Sequence, residues 1–327
     1  MNIKHFAQRV LISGGFSRGQ APIIEQPFTR QSVLQGIVAA RQVQQREKVS
    51  SLADVEFSVF SQWGEDGIID WLVHHNGAMP KSFIEFGVEN YTESNTRFLL
   101  YHRNWRGLVL DGSKSNIAYV RNDAVYWRHD LTATAAFITR ENINGLFKEA
   151  DFSGDIGILS VDIDGNDYWV WEAIDCVKPH FVIAEYNASF GDLQPLVIPY
   201  DPSFFRTRGH FSNLYFGASL PAFDHLAAKK GYARLGTNLA GNNVFYVRND
   251  RLHLFADRIA DTSGRPSTFR ESRSSEGQLT FLSGTKRSRA LAQCPVTNIQ
   301  SGRTGALESF GDLHSAAWLA AMAGRLP

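Results

Sequence analysis

Apolar positions along the chain alternate between two spacings. Five short runs, at residues 82–87, 107–111, 124–128, 156–162 and 180–186, have the length and apolar character of strands. Between them, residues 94–102, 117–121, 135–150 and 168–174 read as helices. Strands alternating with helices predict right-handed crossovers and a doubly wound, mostly parallel α/β sheet. The pattern then changes. Residues 218–230 carry Leu220, Phe223, Leu226 and Ala227 at helical spacing. Residues 232–236 and 244–248 flank a turn-rich stretch from Thr237 to Asn243, which predicts a hairpin and an antiparallel sheet edge.

Outside this core the signals are weaker. Residues 31–50 place Leu34, Ile37 and Val38 at helical spacing among many polar side chains. Residues 57–75 repeat the spacing with Ile68, Ile69, Leu72 and Val73, and Ser61 or Asp66 is available as a cap. Residues 261–304 are rich in Ser, Arg, Gly and Thr, which predicts a loosely ordered segment. A terminal helix is expected over 307–326, around Trp318. The expected organisation is an N-terminal helical arm (1–54), an α/β domain (55–250) and a partly flexible C-terminal extension (251–327).

Composition narrows the class. The 327 residues are 43% hydrophobic and 20% charged, as in ordinary soluble globular proteins. Lys plus Arg and Asp plus Glu both number 33, so no global field favours nucleic acid or acidic lipid. Two cysteines, Cys176 and Cys294, make neither a disulfide framework nor a CxxC metal site and fit a reducing compartment. No apolar run is long enough to span a bilayer, and the basic N-terminus has too short an apolar stretch for a signal peptide. The expectation is a cytoplasmic protein with a small-molecule or glycan partner. Self-association stays open.

The stretch from Ile156 to Tyr168 concentrates the candidate chemistry. A buried-type strand climbs into Asp162, Asp164 and Asp167, with Gly165 among them. Carboxylates are costly to bury unless paired, hydrogen-bonded or bound to a cation. Open α/β sheets bind ligands just beyond the carboxyl ends of their strands, so acids crowded there suggest a site.

Four segments, Ser61-Gln-Trp-Gly-Glu-Asp-Gly, Phe83-Ile-Glu-Phe-Gly, Leu108-Val-Leu-Asp-Gly-Ser and Asp162-Ile-Asp-Gly-Asn-Asp, carry a resemblance. Together with the five strands, the following helix and the hairpin, they resemble class I S-adenosylmethionine (SAM)-dependent methyltransferases. They look most like the FkbM-type branch and relatives that O-methylate sugars. The resemblance covers roughly residues 55–250. It implies a Rossmann-like, seven-stranded methyltransferase sheet of order 3-2-1-4-5-7-6, with SAM as cofactor. One departure stands out: Gly87 is followed by Val-Glu-Asn, where the family has several glycines. A dinucleotide needs close backbone approach to its pyrophosphate. SAM has no phosphate, so the departure weakens an NAD or nucleotide-sugar reading more than a SAM reading.

The resemblance implies site roles, each beside a plainer alternative. Gly87 lets the backbone approach the cofactor and Glu85 accepts from its amino group, or Gly87 is only a turn residue. Asp111 holds the ribose with help from Ser113, or this segment is a helix N-cap. Asp130, expected at the end of the third strand, contacts adenine, or Asp130 or Thr132 caps the next helix. Gln62 reaches the cofactor, or Trp63 and its acidic neighbours only anchor a helix. Asp162 joins the cofactor side to the acceptor side. Asp162, Glu185 and Asn187 would hold Mg²⁺, with Asp164 as alternative ligand or base. Without metal, Asp162 contacts the cofactor amine, Asp164 orients a hydroxyl and Glu185 bonds loop backbone. His210 is a candidate base, or simply a solvent-exposed histidine. Arg206 and Arg208 are candidates for an anionic substrate group. Tyr200, Phe204, Phe205 and Tyr215 would stack on a sugar or pack a lid. The function expected is O-methyl transfer to a carbohydrate hydroxyl. The rivals are an NAD- or nucleotide-sugar-dependent enzyme and a non-catalytic SAM-binding assembly protein.

Overall fold

The computed structural model describes residues 25–324. Ten strands occur among them: β1 (Ser82–Phe86), β2 (Arg106–Asp111), β3 (Leu131–Ala135), β4 (Gly154–Val161), β5 (Val177–Glu185), β6 (Leu196–Val197), β7 (Tyr232–Thr237), β8 (Asn243–Arg248), β9 (Pro295–Asn298) and β10 (Thr304–Ala306). Seven form one sheet of order β3-β2-β1-β4-β5-β8-β7. Strands β1 to β5 pair in parallel, and β8 joins β5 and β7 antiparallel. Counting only strands of this sheet, the order is the expected 3-2-1-4-5-7-6, a Rossmann-like arrangement. β6 belongs to a separate three-stranded sheet with β9 and β10.

Strand register explains why both faces are apolar. Phe83, Ile158 and Phe181 lie side by side across β1, β4 and β5, and the next row is Ile84, Leu159 and Val182. Successive side chains point to opposite faces, so the two rows feed separate cores. Each such side chain, fully buried, contributes about 1.5–3 kcal/mol. One face is covered by Ile68, Ile69, Trp71 and Leu72 of α2 (Glu65–Asn76), which follows α1 (Glu25–Gln44). The other is covered by Val170 and Trp171, from Asp167–Ala173, and by Phe223 and Leu226, from Leu220–Lys230. No helix among the described residues is long and apolar enough to cross a membrane.

Two expectations are corrected. Residues 124–128 are a short helix, Ala124–Arg128, because the Asp123 side chain caps it by accepting from Val125 N at 3.0 Å. The strand beside β2 is instead Leu131–Ala135, with Gly107 opposite Leu131 and Asp111 opposite Ala135. Segment 261–304 is also more built than its composition suggests. It contributes the short helix Thr285–Ala290 and β9, and it buries Ser272, Arg287, Leu291 and Val296. With Phe190, Leu196, Leu214 and Leu307 its apolar residues form a third small core. Trp318 is buried in a helix as expected, Ala316–Ala323, whose N-cap Ser315 accepts from Trp318 N. The N-terminal arm expected over 1–54 lies outside the described residues up to position 24.

Candidate active site

The carboxyl ends of β1, β4 and β5 surround a cavity of about 280 Å³. Gly87, just after β1, sets its tightest contact. Its φ is +78°, and a Cβ there would lie 1.5 Å from the Asp162 carbonyl oxygen. Only glycine fits such a conformation and approach. Gly87 N donates to Leu110 O at 2.9 Å, so this residue ties β1, β2 and β4 together.

Beyond β4 the loop folds around Asp167. Its buried carboxylate accepts from Ile163 N at 2.7 Å and Gly165 N at 2.8 Å. Burial pushes its pKa up to about 6 even so. Asp167 therefore shapes the loop. Asp164 sits at φ +57°, a left-handed conformation that Asp tolerates better than most residues. The turn brings Asp162, Asp164 and Glu185 to within 4.8 Å of one another, one carboxylate oxygen from each.

Three acids this close cannot all ionise easily. Burial, then repulsion from Glu185, holds the Asp162 carboxyl well above the usual carboxylate range. Burial, then Asp164, raises Glu185 to about 8. The two titrate as a pair that retains a proton near neutral pH. Glu185 Oε2 is buried without a hydrogen-bond partner. Arg206 supplies counter-charge: it pairs with Asp164, donates from Nε to Asn213 O at 2.9 Å, and lies 4.0 Å from the Phe216 ring centre.

The other expected residues divide. Gln62, Glu85, Gly87, Asp162, Asp164, Glu185 and Asn187 all line the cavity. Glu85 is buried, which raises it to about 7, and its oxygens are engaged. Oε1 accepts from Asn95 N at 2.8 Å and Oε2 from Thr96 N at 3.0 Å, so Glu85 ties down the loop before Arg97–Arg103. Asn187, expected beside Asp162 and Glu185 as a metal ligand, has its side chain engaged by backbone groups. Its Oδ1 accepts from Ser189 N at 3.0 Å and its amide donates to Leu214 O and Phe216 O, which commits the side chain to capping. Asp164 completes the acidic group.

Asp111 and Ser113 stand beside the cavity wall. Asp111 accepts from Glu89 N and Ser113 N, both at 2.8 Å, and Glu89 itself lines the cavity. Ser113 caps Lys114–Asn122 by accepting from Asn116 N. Asp130 is not at the site. It precedes β3, its carbonyl accepts from Gly107 N at the amino ends of the strands, and its side chain is 73% exposed. His210 is also off the cavity wall; its Nδ1 lies 2.8 Å from Ser212 Oγ and its ring packs on Phe211. Arg208 lies over Phe205, 4.2 Å from its ring centre, and does not line the cavity.

Sequence reading missed the far wall. Ser267, Phe269 and Arg287 come from the C-terminal extension and line the cavity. Phe269 meets Trp63 edge-on at 6.0 Å between ring centres. No periodicity in 261–304 marks these positions. Nothing in the sequence sets Arg287 apart from the other arginines of that segment; only the structure buries it.

Neither a family model nor a curated protein matches the sequence. Among solved structures, the chain is similar to an O-methyltransferase from Bacillus cereus in complex with SAH, at 15% identity, covering 67% of this chain and 90% of that one, with a TM-score of 0.38. It is similar to the N-terminal domain of EvdMO1 with SAH bound, at 12% identity over 71% of this chain and 98% of that one, TM-score 0.38. It is also similar to an O-methyltransferase family protein from Burkholderia thailandensis, at 12% identity and a TM-score of 0.35; the match covers 57% of this chain and 59% of that protein. At such values activity has to be read from the site itself.

Proposed function

We propose that this chain is a SAM-dependent O-methyltransferase acting on a hydroxyl of a carbohydrate or glycan precursor. The observation that carries the reading is the charge of the cavity at the strand ends. Seven carboxylate side chains line it against two guanidiniums, Arg206 and Arg287. A cationic sulfonium donor suits the wall beside Gly87, where Glu85, Glu89 and Glu93 stand, whereas the pyrophosphate of a dinucleotide is repelled there. The single Gly87, with Glu89 two residues later, offers no phosphate cradle.

In this reading the methionine portion lies against Gly87 and Gln62. The ribose extends past Glu89 toward Asp111, whose carboxylate already receives the Glu89 N–H. The acceptor enters from the β5 side. The Asp162, Asp164 and Glu185 carboxyls stand together where the acceptor hydroxyl arrives, and an ionised member of the group accepts its proton, which sharpens its oxygen as a nucleophile. The reaction is in-line displacement: the oxygen–methyl bond forms as the sulfur–methyl bond breaks, and sulfur keeps the electron pair. Aligning the two substrates removes much of the entropic barrier. Arg206, anchored on Asn213 and Phe216, holds Asp164 in place.

A Mg²⁺-type cation fits the donor set. Three carboxylates lie within 4.8 Å of one another, and Glu185 Oε2 lacks a partner. Asp162, Asp164 and Glu185 would hold it, and when bound it would supply Lewis-acid stabilisation of an alkoxide.

Calorimetry with S-adenosylhomocysteine, with and without Mg²⁺, tests the reading. Micromolar binding is expected. Absence of binding would overturn the methyltransferase proposal, and SAH affinity and thermal stability unchanged by Mg²⁺ would overturn only the cation.

A further inference from the structure

Arg287 is a buried cation with no ion-pair partner. It is 6% exposed, and among the described residues no carboxylate oxygen comes within ion-pairing distance of it. Its contacts are neutral: Nε donates to Ser189 Oγ at 3.3 Å, and Nη1 donates to the Phe269 carbonyl. A guanidinium is expensive to bury unless it is paired. Arg206, the other cation of the cavity, is committed to Asp164, whereas Arg287 keeps donors unspent.

Its place in the fold says which ligand it meets. Ser189 lies in the turn Ala188–Phe190, directly after β5, and Phe269 lies in the extension. Ser189 thus follows β5, which lies across β4 from β1 and Gly87, and Phe269 lines the cavity from a stretch where Thr268 N donates to the Ala240 carbonyl, between β7 and β8. The helix that carries Arg287, Thr285–Ala290, packs on that same turn after β5. The guanidinium is thus held in place before any ligand arrives. A planar fork of this kind matches the paired oxygens of a carboxylate or phosphate.

We propose that Arg287 is a specificity-determining residue and that the acceptor carries an anionic group, a carboxylate or a phosphate, which Arg287 binds. The inference rests on the methyltransferase reading for the word acceptor, but not for the anion site itself. The C-terminal extension then has a function: it completes the acceptor side of a cavity whose cofactor side belongs to the sheet.

The test is calorimetry on the full chain, free and saturated with S-adenosylhomocysteine, titrated with inorganic phosphate and separately with acetate. The wild-type protein is expected to bind at least one of them, and the better probe identifies phosphate or carboxylate as the source. Arg287→Met is expected to weaken that binding about tenfold or more, as loss of a charge-assisted hydrogen bond does at a buried site. Its affinity for S-adenosylhomocysteine should stay within about twofold and its Tm should not fall, because an unpaired buried charge has been removed. Three results overturn the proposal: neither anion binds the wild-type protein, Arg287→Met binds anions as well as wild type, or the variant loses cofactor affinity in proportion. The last would make the anion the cofactor's own carboxylate. Wild-type protein that binds anion but not S-adenosylhomocysteine would sink the methyltransferase reading and leave the anion site standing. Should Arg287→Met fail to fold, the wild-type titrations and Arg287→Lys, expected to keep the charge but lose the fork, decide the question.

Discussion

Replacing Gly87 by alanine should unlock the site from its base. The new Cβ would lie 1.5 Å from the Asp162 carbonyl oxygen, whereas real Cβ atoms essentially never come closer than 3.0 Å. The backbone of β1 or of β4 must therefore move by at least the difference, 1.5 Å. Two costs follow. Holding a non-glycine residue at φ +78° costs about 1–2 kcal/mol. Forcing the overlap into a packed region costs about 1–3 kcal/mol more. Together they give ~2–5 kcal/mol, a large part of the stability of an ordinary domain. Gly145 provides the internal control. It lies in Ile143–Glu149 with nothing within 4 Å of an added Cβ and no positive φ, so Gly145→Ala should stabilise by about 0.5–1 kcal/mol. Urea unfolding of wild type and both variants measures the three values on one scale. Because Asp162 moves with its carbonyl, Gly87→Ala should also lose affinity for S-adenosylhomocysteine. If Gly87→Ala unfolds within ~0.5 kcal/mol of wild type, or binds the ligand as well, the locked contact between β1 and β4 is refuted.

Two further outcomes follow from the charges. Glu185 has its pKa raised to about 8, chiefly by burial, so the folded state binds its proton more tightly than the unfolded chain does. Its stabilising contribution is complete below the ordinary carboxylate range and is lost as pH rises through about 8. The Tm of wild type should fall from pH 6 to pH 9, and Glu185→Gln, which cannot ionise, should fall less; parallel curves would show that Glu185 does not carry the titration. Mg²⁺ at pH 9 should recover the wild-type Tm but not that of Glu185→Gln. Asp130 is 73% exposed at the amino end of β3, so Asp130→Asn should leave affinity for S-adenosylhomocysteine within about twofold in the same calorimetry, and a tenfold loss would put this residue back at the cofactor.

The local signals of the sequence determined the frame. Apolar runs of strand length and helices between them sufficed for the parallel sheet, because a central strand must be apolar on both faces. The same reading put Asp162, Asp164 and Glu185 near one another, since acids at the ends of neighbouring strands have little room to diverge. It failed where one capping residue outweighed a propensity. Ala124–Arg128 looks like a strand, but Asp123 caps it as a helix, so the strand begins only at Leu131 and Asp130 lies at its amino end instead of the carboxyl end expected. Asn187 and His210 were chosen by residue type and neighbourhood, yet their hydrogen bonds are spent locally, which no spacing reveals. Tertiary structure alone decided the far wall. Arg287 and Phe269 stand about a hundred and eighty and more residues along the chain from Gly87 and come from a polar segment with no period. Long-range packing of a few apolar residues, Leu291 and Val296 against Phe190 and Leu196, brings that segment to the cavity. The cluster at Asp162 was thus readable as the end of a strand, and Arg206 as a candidate cation, while Arg287, the unpaired cation of the far wall, was set by the fold.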